Sequence, residues 1–283
     1  MARRRTTAAR RSATPGPDGP WLDGSGRVID EEDRGLVYDV RTLVSRRSAL
    51  GLFGALGAGA LVAGCGGTTG TSASGDLTEV PDETGGPYPG DGSNGVDVLD
   101  DSGIVRSDIR SSFGSSTTTA EGVPLTVRLT VRDASSGSVR KGAAVYLWHC
   151  NRDGAYSLYA PGLEGENYLR GVQSVDADGT VEFTSIYPAA YDGRWPHIHF
   201  EVYDGVATAT SSGPIVKTSQ IALPQETCEA VYATSGYEAS VANLARTSLT
   251  SDMVFGDDGG IHQIASMTGG VQEGYTAALT IAV

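Results

Sequence analysis

The 283-residue sequence predicts a mainly β fold, an antiparallel β-sandwich with long loops and short helical excursions, occupying residues 84–283. Three observations lead there. Apolar and polar residues alternate with period two in PLTVRLTVRD, the mark of a half-buried strand. Further short runs rich in β-branched and aromatic residues recur between Gly, Pro, Asp and Ser clusters. Helix-compatible composition is confined to a single stretch, so the elements have only each other to pack against.

Along the chain, a Gly/Pro/Asp-rich lead from Val80 to Ser102 precedes the first strand, where Leu125, Val127, Leu129 and Val131 share one face. After the turn-like ASSGS, GAAVYLWHC reads as a second, more deeply buried strand. In GVQSVDADGTVEFTSIYP, Asp178-Gly179 separates two strand-like runs and predicts a hairpin. HIHFEVYDG is a further strand ending in a turn, and TSQIALP a short one closed by Pro224. QETCEAVYATSGYEASVANLA is the helical excursion, and IHQIAS with GYTAALTIAV is expected to close the domain as a pair of strands around a Gly-rich turn. No internal repeat and no phosphate-cradling glycine motif is present.

The N-terminal region reads as a targeting segment. Arg46-Arg47 precedes an apolar, Gly/Ala-rich run from Ala49 to Gly64, shorter than the roughly 20 residues that span a bilayer. The arginine pair resembles a twin-arginine export signal, and Val62-Ala63-Gly64-Cys65 a lipobox with Cys65 as the lipidated residue. The expected organisation is a lipoprotein signal region over 1–64, a flexible Gly/Ser/Thr-rich tether over 65–83, and the β-sandwich domain over 84–283. The expected location is outside the cytoplasm, anchored through Cys65 to the outer face of a bacterial cytoplasmic membrane, or secreted. From Cys65 onward 11 basic residues face 27 acidic ones, a net charge of −16. Such a surface repels phosphate backbones and argues against nucleic-acid binding. Cys150 and Cys228 are compatible with a disulfide or with a pair of buried thiols, and lack the spacing of a zinc site.

RWPHIHF, Arg194 to Phe200, carries the chemistry. Two residues apart on a strand, His197 and His199 point to the same side and supply two metal donors. Alone, such a pair reads equally as two partly exposed histidines. Tyrosines join them: Tyr191 in the Pro/Gly-interrupted connection just upstream, and Tyr156 in the loop after the buried strand. Tyr159 is the rival to Tyr156, while His149 and His262 sit in unsuitable places, within a strand and in the tail.

These residues resemble the intradiol ring-cleavage dioxygenases, such as catechol 1,2-dioxygenase and protocatechuate 3,4-dioxygenase, from about Thr84 to Leu223. Trp148 is followed eight positions on by Tyr156; Pro188-x-x-Tyr191 follows a strand; and Arg194-x-x-His197-x-His199-Phe200 completes the pattern. GGPYP around Tyr88, NYLRGVQ, and Gln220 in TSQI extend the likeness. The resemblance implies a non-haem iron(III) held by Tyr156, Tyr191, His197 and His199, with phenolate oxygens favouring the ferric state. It implies a catechol-type substrate chelated as Tyr191 departs, and ring opening by O2 between the two hydroxyl-bearing carbons to a muconate-type diacid. It further implies that Tyr191 accepts a proton and that Arg194 and Gln220 stabilise charge developing on the ring. The alternative, from a different class, is a non-catalytic cell-envelope β-sandwich module that binds aromatic or carbohydrate ligands; a third is a zinc or copper site built on the histidines alone.

Overall fold

A computed structural model describes residues 77–283. The arginine pair, the apolar run, Cys65 and the GGTTGTSASG stretch lie outside the described residues. Eight strands, β1 (Pro124–Arg132), β2 (Ala144–Trp148), β3 (Arg170–Ser174), β4 (Thr180–Ile186), β5 (His197–Tyr203), β6 (Lys217–Ala222), β7 (Ser266–Gly270) and β8 (Gly274–Ala282), form two sheets. Their orders are β4-β1-β8-β7 and β3-β2-β5-β6. Among the described residues three short α-helices, α1 (Val206–Ala209), α2 (Gln225–Tyr232) and α3 (Glu238–Leu244), fill the excursions.

The β-sandwich expected from the pattern is present, and β1 buries the alternate residues that the sequence marked. Its partner β8 runs parallel to it, Leu125 opposite Tyr275 through Arg132 opposite Ala282, so the sheet is mixed. Two local expectations are corrected. The Asp178-Gly179 turn does not close a hairpin: β3 pairs with β2 while β4 pairs with β1, so the chain changes sheets there. A tight turn dictates a reversal of direction, but the partner of each strand is chosen by the face that it buries. In the tail, the strand begins at Ser266, where IHQIAS ends, and Met267 to Gly270, expected as the turn, form β7. Residues 261–264 are held instead against the end of β6, where the Ala222 amide donates to Gln263 O and that of Ala265 to Ala222 O.

Period two divides the residues of the second sheet between two apolar environments. Val145, Leu147, Ile198, Phe200, Val202 and Ile221 point into the sandwich against Leu125, Val127, Leu129, Phe183 and Ile281. Each such side chain contributes about 1.5–3 kcal/mol when fully buried. The intervening residues face outward, yet they are buried too: Tyr146, Trp148 and Tyr203 pack with Val98, Leu99 and Ile104 from the N-terminal lead. The lead is thus a cover over the outer face of β3-β2-β5-β6. Packing begins slightly before Thr84, since Val80 is buried and its amide donates to Ala282 O. Lys217 fastens this entry by pairing with Glu79 and Asp82.

Cys150 and Cys228 are both buried free thiols. Cys228 meets the Tyr187 hydroxyl at 3.2 Å, and Cys150 contacts Ala189 O at 3.7 Å.

Candidate active site

On the covered face, β5 presents His197 and His199, β2 places Trp148 opposite His199, and β6 places Gln220 opposite it from the other side. The two imidazole Nε2 atoms are 3.1 Å apart. Tyr191 Oη lies 3.2 Å from His197 Nε2. Tyr156 completes the group, its ring centroid 6.1 Å from that of Tyr191 and 6.2 Å from that of His199. The structure therefore gathers all four residues that the sequence singled out as donors.

Local structure explains how each arrives. His199 lies flat on the Trp148 indole, with centroids 4.9 Å apart and planes at 5°. The loop carrying Tyr156 is tied by Asn151, whose Oδ1 accepts from the amides of Asp153 and Ala155. Gly154, at φ +85°, belongs to this loop, and a Cβ there would stand 3.1 Å from that of Tyr191, so the two tyrosine loops approach closely only because it is glycine. Ser157, next to Tyr156, is gripped by Arg170, which donates through Nε to Ser157 Oγ and through Nη2 to Ser157 O. The same guanidinium donates to Tyr88 O and Pro89 O of the covering lead. Tyr88 lies against Tyr156, with ring centroids 5.0 Å apart. Gly86 at φ +72° stands over His199, where a Cβ would come within 3.3 Å of Cε1.

The donor set has the character of a cation site. His197 Nδ1 is 2.6 Å from Trp195 O, and a carbonyl only accepts, so Nδ1 carries the proton and Nε2 is a bare lone pair. This is the outer hydrogen bond that orients metal-bound histidines. The bare Nε2 faces both Tyr191 Oη and His199 Nε2, two neighbours for one lone pair. Two nitrogens bound at about 2.0–2.1 Å in adjacent positions of one cation would themselves lie about 3 Å apart, as these do. The buried Tyr156 Oη has no hydrogen bond of acceptable geometry, although the Tyr191 phenol is its strongest polar neighbour. Among the described residues no three His, Cys, Asp or Glu side chains group as a metal site, so further donors beside the imidazoles are the phenols.

Electrostatics point the same way. Burial first, then the Arg194 cation, pushes His197 well below its ordinary pKa. For His199 burial leads, followed by His197 and Arg194. Both rings are thereby kept neutral, as metal ligation needs. Burial, then Tyr191, pushes the Tyr156 phenol well above its usual range. A phenolate there requires a cation in contact with it.

The remaining expectations sort clearly. Arg194 is buried, and its Nη2 donates to Gln220 Oε1 at 2.7 Å, while Gln220 Nε2 donates to Thr84 O at 2.9 Å. Both catalytic candidates are thus beside the imidazoles and linked to each other. Tyr159 is turned away: its hydroxyl accepts from the Gly90 amide and donates to Asn94 Oδ1. His149 bridges Cys150 O and Ser185 Oγ, and burial lowers its pKa to about 4. His262 lies in a turn before β7.

Sequence reading missed Asp252, the buried partner of Arg194 at 3.0 Å. One acidic residue in a polar stretch carries no signal of its own. It also missed the role of Arg170, although NYLRGVQ had stood out.

Comparison with known proteins adds to this picture. A family model described as Dioxygenase matches residues 111–208, the span that holds both tyrosines, both histidines and Arg194. Chlorocatechol 1,2-dioxygenase of Rhodococcus opacus is 42% identical over 62 residues, 22% of this chain and 24% of that protein. The chain thus aligns with about a quarter of that relative's length. Among solved structures, an intradiol ring-cleavage dioxygenase from Tetranychus urticae superposes with a TM-score of 0.53 at 24% identity, over 64% of this chain and 87% of that one. At that identity the likeness is one of fold.

Proposed function

We propose that this chain is a member of the intradiol ring-cleavage dioxygenase family and an iron(III)-dependent enzyme that opens a catechol-type ring between its two hydroxyl-bearing carbons with O2, giving a muconate-type diacid; the family model over 111–208 and the likeness to chlorocatechol 1,2-dioxygenase support this reading. The observation that carries the reading is the convergence of Tyr191 Oη and His199 Nε2 on His197 Nε2, at 3.2 and 3.1 Å, beside the buried hydroxyl of Tyr156. Iron(III) held by Tyr156, Tyr191, His197 and His199 would supply a Lewis acid that takes both catechol oxygens and makes the ring electron-rich toward O2.

The protein's own groups divide the remaining work. The Trp195 carbonyl fixes the His197 tautomer, and the Trp148 indole fixes the plane of His199. Tyr156 is sealed in the aromatic cluster, 4% exposed, and stays in place. Tyr191 is only half-buried and rides on an irregular loop, so it is the phenol with room to leave. Turned away from the imidazoles, its Oη would receive the proton of a substrate hydroxyl. Arg194, close enough to weigh on both imidazoles, directs positive charge toward the ring as it gains electron density. The lead that carries Thr84, Gly86 and Tyr88 keeps bulk water off this face.

Protein loaded with iron should show a broad visible absorption from tyrosinate-to-iron charge transfer and should consume oxygen with catechol. A colourless, iron-replete sample, or catechol binding without oxygen uptake, would sink the proposal, the latter in favour of a binding module. A small panel of substituted catechols then ranks substrates by kcat/KM.

The same reading puts the enzyme outside the cytoplasm, exported by the twin-arginine route and anchored by lipid on Cys65. Arg46, Arg47 and Cys65 support it through their order and spacing. Full-length protein expressed in a bacterial host should fractionate with membranes and release into the soluble fraction as Cys65→Ser. Equal membrane association of both forms would refute the anchor.

A further inference from the structure

Asp252 comes from the segment between α3 and β7, beyond the 111–208 span that matches the family model. Its side chain is fully buried. Oδ2 accepts from Arg194 Nε at 3.0 Å and from the Trp195 amide at 2.7 Å. Oδ1 accepts from the amides of Val254 at 2.8 Å and Phe255 at 3.2 Å, and meets Arg194 Nη2 at 3.4 Å. The carboxylate is therefore immobilised by backbone before it touches the arginine. Arg194 is held at two points by it and at a third by Gln220, whose other end is tied to Thr84 O. A guanidinium is planar, so contacts along its edge fix its plane as well as its position. The Trp195 amide on the same oxygen also ties Asp252 to the residue whose carbonyl orients His197.

We infer that Asp252 is a positioning residue for the active site: it seats the Arg194 guanidinium in the plane from which that group meets substrate, and locks the Arg194-Trp195 turn that orients His197. The inference rests on the function proposed above. It assigns a role in the reaction to the segment between α3 and β7, which carries none of the four proposed metal ligands.

Asp252→Asn keeps one oxygen, which can serve the Val254 and Phe255 amides, but loses the charge and the acceptor edge that meets Arg194 Nε and the Trp195 amide. At saturating iron it should keep its visible absorption and lose kcat by about 10–100-fold, with KM changed less than about threefold. Combining it with Arg194→Gln should lower kcat no further than Arg194→Gln alone, because the two residues act as one unit. In metal-free protein, the Arg194 Nε–H resonance, identified by its absence in Arg194→Lys, should shift or broaden in Asp252→Asn. If Asp252→Asn does not fold, Arg194→Lys carries the test. It keeps the charge without the two-point seat, and should lose as much kcat as Arg194→Gln.

Asp252→Asn with wild-type kcat and a lowered melting temperature would show a merely structural role and overturn the inference. So would fully additive losses in the double variant, or near wild-type kcat in Arg194→Lys. A wild-type chain without oxygen uptake overturns the function itself and this inference with it; an active wild type with an equally active Asp252→Asn overturns the inference alone.

Discussion

Tyr156→Phe is expected to abolish the visible absorption component due to this phenolate and to cut oxygen uptake by at least about 100-fold, while leaving the metal-free protein as stable as the parent or more so. The two halves have one cause. Tyr156 Oη is buried and lacks a well-formed hydrogen bond. An unsatisfied buried hydroxyl costs about 1–3 kcal/mol, so removing it relieves the metal-free fold. Recovering about 1 kcal/mol in a domain of this size raises the melting midpoint by about 2–4 °C. With iron present the sign reverses, because binding to the native state alone stabilises it by linkage and the variant lacks one of the proposed ligands. Loss of a residue that merely orients a ligand typically costs 10–100-fold, and loss of the ligand should cost at least the upper figure. Tyr159→Phe is the control. That hydroxyl makes two hydrogen bonds, with the Gly90 amide and Asn94, so its removal should destabilise the protein and spare the absorption. Differential scanning calorimetry with and without iron, alongside the visible spectrum, reads every term. A Tyr156→Phe protein that keeps its colour and turnover would remove Tyr156 from the site.

The contrast between these tyrosines shows what was readable along the chain. The period-two rule placed His197 and His199 on one side of β5, and the family resemblance implied Tyr156 and Tyr191 as the donors beside them. Those relations are local or preserved as fixed offsets. The partners of each strand are not local. β1 announced its buried face by alternation, but β2, β5 and β6 are buried throughout, and a strand covered on both sides gives no period to read. The cover itself, from Val80 to Ser102, is rich in Gly, Pro and Asp and has little regular structure. Its place is set by side chains on the sheet that reach its carbonyls. The Asp178-Gly179 turn misled for a related reason. Its residues specify a reversal in direction, whereas the change of sheet follows from β4 completing the face begun by β1. Asp252 was invisible because its meaning lies in Arg194, 58 residues away in sequence.

Arg170→Met should produce the largest loss of stability and should loosen the site without touching a ligand. The guanidinium is 1% exposed. It donates to Ser157 Oγ at 3.1 Å, Pro89 O at 2.8 Å, Tyr146 Oη at 3.0 Å, Tyr88 O at 2.9 Å and Ser157 O at 3.0 Å. Methionine fills much of the volume but leaves carbonyls of Tyr88 and Ser157 without this donor in a buried setting. Hydrogen bonds to a charged group are worth about 1.5–3 kcal/mol each, but desolvation of the cation offsets part of the total, so the net loss is about 3–5 kcal/mol. That lowers the melting midpoint by about 6–20 °C. Arg170→Lys should rescue little, since three donors on a point cannot span carbonyls that a planar fork reaches on two edges. The functional loss follows from what the fork joins. One edge holds Ser157, the neighbour of Tyr156, and the other holds the Tyr88-Pro89 segment, where Tyr88 covers Tyr156. Releasing both frees the loop of Tyr156, a proposed ligand, together with its cover, and metal affinity should fall about 10–100-fold, as for residues that orient ligands from outside. Iron titration by visible absorbance, well below the lowered midpoint, separates this from global unfolding. Unchanged affinity in a folded Arg170→Met protein would show that the loop carrying Tyr156 is rigid without its clamp.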